Sequence, residues 1–185
     1  MLEELKPKDI YSPVYHDFPQ ETVHVIVIGD HHDSPLIKDK SRITWIARYV
    51  AEKKPDLVVQ IGDIADFDSV STHAAPGTTE YAKRPSISAD LESLEETLYL
   101  YNKVLPKGPP KRLTAGNHED RMLRFENNNP EVNDGVYRQF QQLCTRYRWN
   151  TSFYGQWLFV NQVGFIRSEE HTSELQSLDY LVCRL

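Results

Sequence analysis

The chain has 185 residues, 21 basic against 27 acidic, for a net charge of −6. That length suits one domain with a real core, and the mild acidity gives no global pull toward nucleic acid. No run approaches the length of a membrane span, and the N-terminus (MLEELKPKDI) has no leader-like apolar stretch.

Residues 1–22 are polar and proline-containing and read as an irregular arm. Val23 to Ile28 is a near-continuous aliphatic run, the pattern of a strand buried on both faces. The spacing of Ile43, Ile46, Ala47 and Val50 predicts a helix from about Asp39 to Lys53, stopped by Pro55. Leu57 to Ile61 reads as a second strand, so the pair makes a βαβ unit with a right-handed crossover. Residues 67–87 are rich in Ser, Thr, Ala, Pro and Gly and read as a long functional insertion. A helix from about Ala89 to Val104 follows, with Ser88 as N-cap and Leu91, Leu94, Leu98, Tyr101 and Leu105 as its buried stripe. Arg112 to Ala115 is the third strand, and a short helix runs on to Phe125. A further helix spans about Gly135 to Arg148, with Val136, Phe140, Leu143, Cys144 and Tyr147 inward. Trp157 to Val160 and Val163 to Ile166 read as a hairpin about Asn161-Gln162.

The last segment is set aside. Arg167 to Ser177 reads RSEEHTSELQS and Leu181 to Leu185 reads LVCRL, which together resemble a translated sequencing adapter. Residues 167–185 are therefore expected to be an artefactual tail, with the natural reading frame continuing differently after Ile166. Without them the balance is 19 basic to 23 acidic, and Cys144 is the one cysteine left. One cysteine makes no internal disulfide, so a soluble cytoplasmic protein is the expectation.

Three polar clusters stand at the ends of the three strand-like runs: Gly29-Asp30-His31-His32-Asp33, Gly62-Asp63-Ile64-Ala65-Asp66 and Gly116-Asn117-His118-Glu119-Asp120. Residues at the carboxyl ends of neighbouring parallel strands converge, and open α/β sheets bind ligands there. Their Asp, His and Asn side chains suit divalent metals of the Mn, Fe, Zn class better than a thiolate site would. Asp30 and His32 flank one residue and can point into one site. Asp63, on the adjacent strand end, can offer one oxygen to each of two cations. Taken singly each cluster also fits a polar turn; their order at three successive strand ends is what carries weight.

The order D-x-H, GD-x-x-D, GNHE resembles the calcineurin-like metallophosphoesterase superfamily over residues 23–166. The resemblance implies an α/β fold: a β-sandwich of mixed sheets flanked by helices, incomplete here at its C-terminus. It implies two divalent metal ions, drawn from Mn, Fe, Zn, Ni or Mg. Asp30 and His32 would be ligands of the first, Asp63 the bridging carboxylate, and Asn117 a ligand of the second. His118 would contact the phosphate and assist the leaving group. One departure stands out. The family pattern needs a further histidine after a later strand and then a Gly-His-x-His, and neither is present; His171 lies within the set-aside tail.

The implied activity is hydrolysis of a phosphomonoester or phosphodiester by a hydroxide bridging the two metals. The implied partner is a phosphate-ester substrate, with nucleotides and nucleic acids in that class, and no membrane. The competing expectation is an inactive fragment or degenerate metal-binding domain that acts through partners. Asp33, Asp66, Glu119 and Asp120 are candidates to orient the histidines, or else solvated acids and helix-start charges. His31 is read as a spacer, and His16, His24 and His73 as ordinary residues. Arg121 and Arg124 are candidate phosphate contacts or surface ion-pair partners.

Overall fold

The computed structural model describes residues 11–132 and 135–167. The chain runs through β1 (Val14–His16), β2 (Val25–Ile28), α1 (Ser41–Lys53), β3 (Leu57–Gln60), a 3-10 turn at Asp68–Val70, α2 (Thr79–Ala82) and α3 (Ile87–Val104). It continues through β4 (Lys111–Thr114), α4 (Asn117–Asn128), a second 3-10 turn, α5 (Val136–Arg146), β5 (Trp149–Ser152), β6 (Leu158–Val160) and β7 (Val163–Phe165). The strands β2-β3-β4-β5 form one parallel sheet in chain order. β1, β6 and β7 form a second, mixed sheet, with β1 parallel and β7 antiparallel to β6.

Sequential strand order explains the layering. Crossovers of one hand between successive neighbours put their helices on one face of the sheet. The other face is left for the second sheet. Side-chain alternation along β3 records both layers. Val58 packs with the helices, whereas Leu57 and Val59 pack against Leu158 and Val160 of the second sheet. The expected sandwich of sheets flanked by helices is therefore present.

The helices bury the predicted stripes. Ile43, Ala47 and Val50 of α1 and Leu94 and Leu98 of α3 are fully buried, each of the larger aliphatic ones contributing about 1.5–3 kcal/mol relative to exposure. Four details differ from the sequence expectation. β2, read as buried on both faces, lies at the sheet edge and is half-buried apart from Ile28. α3 starts two residues early, because Ser86 and not Ser88 accepts the capping bond from the Ala89 N–H at 3.2 Å. The arm carries a strand, β1, which pairs with β6. Trp149–Ser152 is a strand that nothing in the sequence announced; its Trp149 is fully buried against the helices. Within the 67–87 insertion, Thr78 caps the short α2 by accepting from the Tyr81 N–H. Apart from Arg167, the tail from 168 on lies outside the described residues, as do residues 1–10 of the arm.

Candidate metal centre

The three polar clusters do follow β2, β3 and β4, and backbone bonds lace them together. The Asp63 carbonyl accepts from His31 N and His32 N at 3.0 and 2.9 Å, and Asp33 N donates to the Ile64 carbonyl. The Asp66 N–H returns to the Asp33 carbonyl at 2.8 Å. Two ligand-type residues sit in left-handed backbone, His32 at φ 46° and Asp63 at φ 50°. For a non-glycine residue that geometry costs on the order of 1–3 kcal/mol and persists only where the surroundings hold it.

The third cluster meets the second by close approach. Gly62 packs on Gly116 so tightly that a Cβ at Gly62 would lie 2.7 Å from the Gly116 Cα. Glu119, one turn into α4, is fully buried. Its Oε2 accepts from Gly116 N at 2.6 Å and Asp63 N at 2.9 Å, and its Oε1 accepts from Ile64 N at 2.9 Å. This is half a capping box, since Gly116 has no side chain to answer with. Burial, then the charge of Asp63, pushes the Glu119 carboxyl up to about 7, against N–H bonds that favour the anion.

Ligand atoms of His32, Asp63 and His118 lie within 4.8 Å of one another. Asp63 is buried at 1% exposure and the two histidines are half-buried. His32 Nδ1 lies 2.8 Å from Asp66 Oδ1, which leaves Nε2 facing inward, 3.5 Å from Asp30 Oδ2. A carboxylate behind an imidazole fixes its tautomer and raises its basicity toward a metal. His118 Nδ1 is 3.0 Å from the Asp66 carbonyl. A carbonyl only accepts, so Nδ1 carries the proton and Nε2 holds the lone pair. That lone pair meets Arg121 Nη2 at 3.1 Å. Burial lowers the His118 pKa, with Asp63 opposing and the Arg121 and His32 charges adding to the fall.

The predicted residues are thus partly reordered. His118, read as a phosphate contact, sits in the same acid-and-imidazole group as His32 and Asp63. Asp30 stands at its edge. Asn117 lies half-buried at the start of α4, where its carbonyl accepts from Arg124 Nη2 at 3.4 Å. His31 turns away, its Nε2 2.6 Å from the Tyr101 hydroxyl of α3. Among the candidate orienting acids, Asp66 bonds a histidine of this group, His32. Asp33 is buried on Lys40 Nζ at 2.6 Å, with Ser93 and Thr97 hydroxyls donating to it. Asp120 pairs with Arg124. His16 accepts from Arg112 Nε at 3.0 Å.

Arg167 was not foreseen at all. Its guanidinium forks onto both oxygens of Asp30, at 2.6 and 2.9 Å, and reaches Asp63 Oδ2 at 2.7 Å. The arginine is a cation held between two carboxylates at the strand ends. The donor set of carboxylates and imidazoles therefore fits a divalent ion in chemistry, and the guanidinium stands in for one at the Asp30–Asp63 side.

Residues 23–181 match the family model described as calcineurin-like phosphoesterase. The chain belongs to the calcineurin-like phosphoesterase family. Family membership implies divalent metal ions and phosphate-ester hydrolysis. The match extends past Ile166 into the set-aside segment. No curated protein and no solved structure matches the chain. Among the described residues, no helix is long and apolar enough to cross a membrane.

Proposed function

We propose that this domain hydrolyses a phosphomonoester or phosphodiester with the help of two divalent ions. Asp30 and His32 would hold the first ion, Asp63 would serve both, and Asn117 would serve the second. When bound, such ions activate water as the nucleophile and offset charge on the phosphoryl oxygens. The observation that carries this reading is the convergence of His32, Asp63 and His118 at the ends of neighbouring parallel strands.

The chain's own groups take defined parts. Asp66 orients His32 through Nδ1 and His118 through its carbonyl. His118 Nε2, released from Arg121 and protonated, would donate to the leaving oxygen. Arg121, already beside Nε2, offers a forked donor to a phosphate oxygen. Nucleotides fit the substrate class: in the 67–87 insertion, Arg84 lies over the Tyr81 ring at 3.7 Å and presents a flat face.

A second reading, a metal-poor domain that acts through partners, is favoured by one observation, the Arg167 ion pairs with Asp30 and Asp63. Hydrolysis of bis-p-nitrophenyl phosphate and p-nitrophenyl phosphate with Mn²⁺ separates the two. We expect little turnover from the 185-residue chain. We expect metal-dependent turnover once a histidine and a Gly-His-x-His segment follow Ile166. If that extended chain hydrolyses neither ester, the enzyme reading loses. Asp63→Asn in the extended chain should remove most of the rate together with bound Mn²⁺; a lost rate with full metal content would make Asp63 a substrate contact instead.

A further inference from the structure

We propose that Glu119 is the positioning residue that holds Asp63 in its left-handed backbone conformation and so sets where the Asp63 carboxylate points. The inference rests on the reading of Asp63 as a metal ligand. Asp63 at φ 50° follows Gly62 at φ 87°. An aspartate side chain tolerates such a backbone without requiring it, so the surroundings hold it there.

Glu119 is placed to do so. The peptide N–H groups on either side of the Asp63 Cα belong to Asp63 and Ile64. One carboxylate takes both, Oε2 the first and Oε1 the second, each at 2.9 Å. Two bonds from one planar acceptor to the two peptides flanking a residue restrict both of that residue's torsions. The acceptor is itself fixed: Glu119 is fully buried, one turn into α4, and its Oε2 also takes Gly116 N at 2.6 Å.

Two plainer roles explain less. Helix capping accounts for the Gly116 bond but not for the two bonds to the β3 loop. Direct metal ligation would need a free oxygen turned toward His32 and His118, and both Glu119 oxygens are engaged by N–H groups. The clamp also reaches the first loop, because the Asp63 carbonyl accepts from His31 N and His32 N. Asp63 Oδ1 in turn accepts from His118 N at 3.1 Å. A rotation at residue 63 therefore disturbs all three strand ends.

The test uses the whole chain in two measurements. The first is Co²⁺ titration followed by visible absorption. The second is the ¹³Cα and ¹³Cβ shifts of residue 63 without metal, which report the sign of φ. Leu105→Ala is the control: Leu105 is a buried core residue at the far end of α3. We expect Glu119→Ala to bind Co²⁺ at least tenfold more weakly and to lose the left-handed shifts at residue 63. Glu119→Gln, which keeps one acceptor oxygen and the shape, should fall between. Leu105→Ala should lose comparable thermal stability with neither change. If the Glu119 variants weaken Co²⁺ binding no more than the control, or leave the residue 63 shifts unmoved, the proposal is overturned. Should Glu119→Ala fail to fold, Glu119→Gln decides by the same criteria. If the wild-type chain binds no Co²⁺ and Asp63→Asn changes nothing, it is the metal reading that fails; the residue 63 shifts then decide the clamp alone.

Discussion

Gly116→Ala is a small change with a large expected effect. Gly116 has φ −94° and ψ −174°, extended values open to any residue, so its backbone does not require glycine. Space does. A Cβ there would overlap the Asp63 Oδ1 atom and lie 2.7 Å from the Asp63 N, where ordinary contact begins at 3.4 Å. The β3 and β4 loops must separate by the difference, which stretches the Glu119 bonds that join them. Overpacking of this kind costs about 1–3 kcal/mol, and weakening one of those bonds adds roughly 1 kcal/mol. A total of about 2–4 kcal/mol lowers Tm by roughly 4–16 °C in a chain of this size. Gly→Ala in open space has the opposite sign, stabilising by about 0.4–1 kcal/mol through the unfolded chain. Gly29, where an added Cβ meets nothing within 4 Å, is the matched control. Thermal melts in chelator should place Gly116→Ala well below wild type and Gly29→Ala close to it. A Gly116→Ala protein melting at or above wild type would refute the close-approach argument.

Other predictions concern charge. Burial, with Arg42 adding to it, lowers the His31 pKa from 6.5 to about 4. The folded state thus excludes a proton that the unfolded chain accepts, so stability is full above pH 6.5 and falls as pH drops toward 4, by roughly 3 kcal/mol. The unfolding free energy from urea melts, wild type minus His31→Gln, should fall by that amount between pH 7.5 and 4; a difference that stays constant contradicts the shift. Lys40→Met leaves buried Asp33 with Arg42, at 3.4 Å, in place of its 2.6 Å ammonium partner, which costs up to about 3–5 kcal/mol and should show as a lower urea midpoint. Arg167→Ala frees Asp30 and Asp63 from a competing cation, so calorimetry should show tighter Mn²⁺ binding than in wild type, and weaker binding would mean the arginine aids the ion.

Much of this architecture was legible because burial writes itself into sequence. The β3 run and the α1 and α3 stripes each bury what their periods said they would. The strand-end positions of Asp30, His32, Asp63 and His118 followed from those runs. β5 was not legible, since Trp-Asn-Thr-Ser carries no aliphatic pattern and becomes a strand by pairing with β4. Ser86 and Ser88 were equivalent in sequence, and only the bond to Ala89 chose between them. Glu119 read as a helix-start charge because its partners lie on another loop, 55 and 56 residues away. Arg167 was hidden by its position in a segment that resembled a translated sequencing adapter.

The torsions at His32 and Asp63 also bear on which substitutions these positions accept. Besides glycine, the side chains that tolerate such torsions well are asparagine, aspartate and histidine. Of that short alphabet, only aspartate brings a permanent negative charge to position 63. A saturation library there should therefore return almost no functional survivors, with asparagine and glycine folding and the β-branched residues lost before chemistry is even asked of them.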